Sequence, residues 1–141
     1  MHFTHAIVCP PCNNFIYGIT TASLGKPNYL NALVQHQEYV ELLEKMGLDI
    51  TVLSPDDDYP DSTFVEDTAV LLSPCVIISN PGEESRRGEI NSVEKLLKKK
   101  FIEIEKIVKP ATLDGGDVLE AGTCFYIGIS ERTNKSGADQ F

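Results

Sequence analysis

At 141 residues, with 42% hydrophobic and 23% charged residues, the chain has the size and composition of one globular domain, which argues against disorder. Its net charge of −9 repels phosphate backbones, and no apolar run approaches the roughly 18 residues that span a bilayer, so neither a nucleic-acid nor a membrane partner is expected. The opening Met1-His2-Phe3-Thr4-His5 has no basic residue and no long apolar stretch, so no secretory signal is expected and the cytoplasm is the default location.

Taken in order, the pattern alternates strands and helices. Ala6-Ile7-Val8 reads as a short strand, followed by a loop to Pro27. A helix is predicted from about Asn28 to Met46, with Leu30, Leu33, Val34, Val40 and Leu43 on its inner side and Gly47 just past its end. Asp49 to Leu53 is the next strand, and an acidic loop runs from Ser54 to Ser62. Thr68 to Leu72 and Cys75 to Ser79 read as two strands joined by a tight Ser73-Pro74 turn. After the loop Asn80 to Glu84, a helix is predicted from about Ser85 to Lys100, with Ile90, Val93, Leu96 and Leu97 inward. Phe101 to Val108 alternates apolar and charged residues, as a half-buried strand does. Val118 to Ala121 and Cys124 to Ile129 form a predicted hairpin across Gly122-Thr123, and a helix begins near Lys135.

One unit, strand–strand–loop with arginine–helix–strand, therefore spans Thr68 to Val108 and starts again at Val118. Arg86 and Arg132 occupy the same place in successive units, a weak repeat of the kind blade-like architectures show. A repeat array that stops inside a unit leaves an edge and a face uncovered, so the sequence predicts a fragment or a chain that needs a partner.

Four cysteines are present, and Cys9-Pro-Pro-Cys12 has a spacing that serves redox chemistry or half a zinc site. A redox motif opens a helix, whereas Asn13 to Gly18 reads as loop, and no second CxxC or HxxxH completes a metal site. Ordinary thiols in a reducing compartment are the preferred reading.

Three features carry chemistry. Pro60-Asp61-Ser62-Thr63-Phe64-Val65-Glu66-Asp67-Thr68 sets three acids within seven positions, two of them directly before an apolar strand, where unpaired carboxylates are costly. Leu113-Asp114-Gly115-Gly116-Asp117-Val118 flanks two glycines with acids; the glycines permit unusual backbone angles and close approach of a ligand, the segment alone also reads as a turn, and it lacks the lysine of a phosphate loop. Arg86 and Arg132 carry planar forks that hold carboxylates. Carboxylates at Glu66, Asp67 and Asp114 suit a guanidinium, the two arginines suit an α-carboxylate, and Asp61 suits an α-ammonium. A ligand with all three groups is arginine or a modified arginine.

The strings Ser23-Leu24-Gly25-Lys26-Pro27, Phe64-Val65-Glu66-Asp67-Thr68, Ser85-Arg86-Arg87-Gly88-Glu89, Leu113-Asp114-Gly115-Gly116-Asp117-Val118 and Arg132-Thr133-Asn134 stand in one order across nearly the whole chain. Together they resemble the dimethylargininase family, within the superfamily of arginine deiminases and amidinotransferases. The resemblance implies an α/β fold, a five-bladed propeller of pentein-type ββαβ units, with residues 1–141 as a single incomplete domain making about half of it. It implies that Asp67 and Asp114 hold the guanidinium with Glu66 beside them. Arg86 and Arg132 would hold the substrate carboxylate, and Asp61 and the carbonyl of Ile19 would meet the α-amino group.

The family reaction converts methylated arginine to citrulline and an alkylamine without metal or cofactor. A cysteine thiolate attacks the guanidino carbon, and a histidine protonates the leaving amine and then activates water. Those two residues fall beyond Phe141, so no residue here is assigned as catalytic and no hydrolysis is expected from this chain alone. His2, His5 and His36 lie in the wrong units, and no cysteine matches the nucleophile. The sequence leaves open a truncated enzyme, one half of a split enzyme completed by a second chain, a homo-oligomer, and a non-catalytic binder of arginine-like ligands.

Overall fold

The computed structural model describes residues 3–72 and 75–141, so the expected Ser73-Pro74 turn and His2 lie outside the described residues. The chain divides into two compact units, 1–65 and 66–141.

The first unit is a β–α–β arrangement. Strand β1 (His5–Val8) pairs in parallel with β2 (Asp49–Val52), in the register Ala6 to Ile50 and Val8 to Val52. A parallel pair needs a crossover, and helix α1 (Tyr29–Lys45) supplies it. The helix starts where it does because the Asn28 side chain accepts the Asn31 N–H at 2.9 Å, relieving one of the unpaired donors of the first turn. It ends at Gly47, whose φ of 87° closes the last turn in the left-handed region. The expected inner face is only partly inward. Val40 is buried and Leu33 and Leu43 are half-buried, but Leu30 is 69% and Val34 58% exposed. Leu42 in the helix and Met46 just past it are exposed as well.

Cys9 and Cys12 are buried in the same unit. The Cys9 thiol donates to the carbonyls of Pro10 and Ser54, and that of Cys12 to the Tyr59 carbonyl at 3.8 Å. A single 3-10 turn (Phe15–Tyr17) follows them where loop was expected. Asp57 ties the two loops together by accepting the Asn13 N–H at 2.9 Å and a side-chain N–H of Asn13 at 3.0 Å.

The second unit contains the expected ββαβ order. A 3-10 turn (Val65–Thr68) leads into β3 (Ala69–Leu71), which pairs antiparallel with β4 (Cys75–Ile78). Helix α2 (Ile90–Leu97) then crosses over to β5 (Glu103–Lys106), which lies parallel to β4 with Val76 opposite Ile104. Val93 and Leu97 are buried on the inner side of α2, as their spacing predicts. The helix is shorter than expected because a separate 3-10 turn (Glu84–Arg86) occupies its predicted start.

A second hairpin, β6 (Val118–Ala121) and β7 (Cys124–Ile127), turns at Gly122 and is followed by α3 (Lys135–Gln140). Asn134 caps α3 by accepting the Gly137 N–H at 2.8 Å. Ile77, Ile107, Ala111 and Leu113 form the core here, joined by Val70, Leu72, Val118 and Phe141. Arg86 and Arg132 each follow a hairpin and precede a helix, as the repeat predicts. Among the described residues no helix is long and apolar enough to cross a membrane.

Candidate substrate-binding site

In the second unit the local fold draws acids and arginines together. Asp67 stands in the 3-10 turn before β3, so its carboxylate leaves the chain where the backbone bends. The Asp114-Gly115-Gly116-Asp117 segment comes up against it. The Gly116 N–H donates to Asp67 Oδ1 at 3.2 Å, and a Cβ on Gly116 would sit 2.5 Å from that oxygen. A Cβ on Gly115 would meet the Glu66 carbonyl. The segment forms the turn the sequence allowed, a 3-10 turn over Gly115–Asp117; neither glycine has positive φ, and both lie close against the chain's own Glu66 and Asp67.

Arg86 lies at the centre and is 5% exposed. Its Nε donates to both Glu89 oxygens at 3.1 Å, and its Nη2 donates to Glu89 Oε2 at 2.8 Å. Its Nη1 donates to Asp67 Oδ2 at 2.7 Å and stands 3.9 Å from Asp114 Oδ2. Burial, the largest single influence, works to lower the Arg86 pKa. The hydrogen bonds of Glu89 and Asp67 and then their charges outweigh it, so the guanidinium is held above its ordinary pKa.

Asp114 is buried as well. Its Oδ1 accepts the Gly82 N–H at 3.1 Å, and its own N–H donates to Thr133 Oγ1 at 3.0 Å. Its Oδ2 lies 3.4 Å from Arg132 Nη1. Burial raises the Asp114 pKa first, and the charge of Asp67 adds to it; the Gly82 hydrogen bond and the two arginines oppose the rise without cancelling it. Arg132 is the more open of the two arginines, with its side chain 31% exposed. The loop beneath it is fixed where Ser130 Oγ accepts the Arg132 N–H at 2.9 Å and donates to Asp117 Oδ2 at 2.7 Å.

Four of the seven expected site residues, Asp67, Arg86, Asp114 and Arg132, therefore share one cluster. Glu66 is exposed beside it. In the first unit Ile19 and Asp61 meet, but through the amide rather than the carbonyl that was expected to matter: the Ile19 N–H donates to both Asp61 oxygens at 3.1 Å. Sequence reasoning missed Glu89. Its signal was the spacing of three from Arg86, a distance at which side chains on a helical turn meet. Within the cluster the carboxylates of Asp67, Glu89 and Asp114 face the guanidiniums of Arg86 and Arg132, leaving one negative charge over. Among the described residues no group of three or more His, Cys, Asp or Glu could hold a metal ion.

The family model for eukaryotic N,N dimethylarginine dimethylhydrolases matches residues 19–141. The N(G),N(G)-dimethylarginine dimethylaminohydrolase of Pseudomonas aeruginosa is 44% identical over 139 residues, covering 98% of this chain and 55% of that protein. The chain belongs to the dimethylargininase family. It spans about half the length of the curated family members it matches. A Pseudomonas aeruginosa dimethylargininase crystallised with citrulline, as a serine-for-cysteine mutant, superposes with a TM-score of 0.97 at 43% identity, over 99% of this chain and 55% of that one. The N-terminal domain of ArgZ, only 17% identical, reaches a TM-score of 0.83 over 95% of this chain and 52% of that one. The dimethylargininase chain thus has the α/β pentein fold.

Proposed function

We propose that these 141 residues form the substrate-gripping part of a dimethylargininase that converts methylated arginine to citrulline and an alkylamine. Asp67 and Asp114 take the guanidinium, with Glu66 beside them. Arg132 takes the α-carboxylate with Arg86 beside it, and Asp61 with the Ile19 carbonyl takes the α-ammonium. The observation that carries this reading is the charge balance of the cluster, where the carboxylates of Asp67, Glu89 and Asp114 face the two guanidiniums of Arg86 and a partly exposed Arg132. A site short of one cation suits a ligand whose reacting end is a cation, and the fixed carboxylates orient that end for attack.

On the same reading, residues 1–141 make about half of one five-bladed propeller, as a single incomplete domain. None of Cys9, Cys12, Cys75 or Cys124 serves as nucleophile, and His5 and His36 do not serve as general acid. The Cys12 thiol supports this, since burial pushes its pKa up, opposite to the activation a nucleophile needs. The chain then binds substrate without turning it over, either as part of a larger enzyme, as one half of a split one, or as a binder in its own right.

Calorimetric titration with L-arginine and asymmetric dimethylarginine, alongside a citrulline assay, tests this. The expected result is binding that Asp67→Asn weakens, with no citrulline formed. Absence of binding at millimolar ligand, or citrulline formed at enzymic rates, overturns it.

A further inference from the structure

Glu89 has no part in the reading above, yet it is the most deeply buried acid of the cluster, with its side chain 2% exposed. It stands at the start of α2, where the positive end of the helix dipole favours a carboxylate. Both of its oxygens face one edge of Arg86, taking Nε and Nη2. The Nη1 end turns the other way: it donates to Asp67 Oδ2 at 2.7 Å and stands 3.9 Å from Asp114 Oδ2, while Asp67 Oδ1 accepts from Gly116. An arginine fork frequently pairs with a carboxylate through two parallel hydrogen bonds. Without Glu89, Arg86 would be drawn to pair in that way with Asp67, and the cluster would lose its surplus negative charge.

We infer that Glu89 is a positioning residue: it holds Arg86 by one edge, so that Arg86 orders Asp67 without neutralising it as a receptor for a cationic ligand. This rests on the reading of Asp67 as a guanidinium holder. The group it favours is a guanidinium rather than the neutral ureido group of citrulline, because only the former needs the surplus charge.

The test compares L-arginine with L-citrulline on the 141-residue chain and on Glu89→Gln. Arginine affinity is expected to fall at least about tenfold, or roughly 1.4 kcal/mol, with citrulline affinity unchanged. Glu89→Asp, which keeps the charge, is expected to restore most of the loss. An equal fall for both ligands, or no fall for arginine, overturns the inference. If the unaltered chain binds neither ligand, the proposed function fails by itself, and hydrogen exchange at Arg86 Nε decides the role of Glu89. Exchange at least about tenfold faster in Glu89→Gln supports the positioning role, and unchanged exchange refutes it. Should Glu89→Gln not fold, the same exchange measurement on Glu89→Met, which removes the charge and fills the space, gives the decision.

Discussion

Replacing Arg86 by methionine removes the buried cation and leaves its aliphatic volume roughly filled. Glu89, with its side chain 2% exposed, and Asp67, at 19%, then face each other's surroundings without a guanidinium between them. Removing one partner of a buried ion pair costs about 3–5 kcal/mol, because the remaining charge has lost its water and its counter-charge alike. A domain of this size has a total stability of about 5–15 kcal/mol, so the loss is a large share of it. The comparison that isolates the effect is Arg132→Met. That side chain is 31% exposed and its contact with Asp114 is 3.4 Å long, so its loss costs about 1 kcal/mol or less.

Urea unfolding followed by far-UV circular dichroism reads both. The sign of the pH dependence adds a second reading. A carboxylate left buried without its cation has a raised folded-state pKa, so it binds more protons folded than unfolded. The deficit of Arg86→Met therefore shrinks as pH falls and grows as pH rises through that pKa. The double substitution Arg86→Met with Glu89→Leu removes both charges and is expected to recover most of the loss. Equal costs for Arg86→Met and Arg132→Met, or a deficit that grows on acidification, would refute the assignment of Arg86 as the buried hub.

Asp114 has a pKa raised by burial, so arginine affinity should begin to fall above the ordinary carboxylate range as pH is lowered, in calorimetry across pH; Asp114→Asn should bind more weakly and lose that step. By the same raised value, Asp114 favours the folded state when protonated and withdraws that contribution as pH rises. Gly116→Ala places a methyl 2.5 Å from Asp67 Oδ1, and the repacking should cost about 1–3 kcal/mol in urea melts and weaken arginine binding in parallel. Cys12, buried and with its pKa pushed up first by that burial, should alkylate far more slowly than exposed Cys124 at neutral pH, as peptide mass mapping after iodoacetamide would show.

What could be read without coordinates was governed by local rules. The hairpin at Gly122-Thr123 and the helix end at Gly47 follow from the positive φ that a missing Cβ permits, and these and the turn at Gly115–Asp117 stand where the sequence puts them. The inner face of α2 follows from Val93 and Leu97 at four-residue spacing, with strands of one sheet before and after it in the chain. The same periodicity failed at Leu30 and Val34. An apolar periodicity shows that a helix has two sides; it does not say which positions the rest of the unit covers, and α1 carries apolar residues at exposed positions too. The register of the acids was legible as a type of residue before a strand, while their partners were not, since Arg86 to Asp67 spans nineteen residues.

Glu89 was hidden for a different reason, and that reason bears on how a cation site can be built at all. Carboxylates gathered to receive a guanidinium repel one another until the ligand arrives, and a buried set of them would cost the fold several kcal/mol. An internal arginine removes the repulsion, but if it is free to pair fully it also removes the attraction for the ligand. Arg86 resolves the conflict only because its charge is shared with a third carboxylate outside the group expected to touch substrate. Such a residue follows from charge balance and not from the shape of the ligand, so a search of the sequence for ligand-complementary groups passes over it. The same logic makes Arg132 the more adjustable cation: its contact with Asp114 is long, its side chain is partly open to solvent, and a substrate carboxylate can draw on it without first breaking a buried pair.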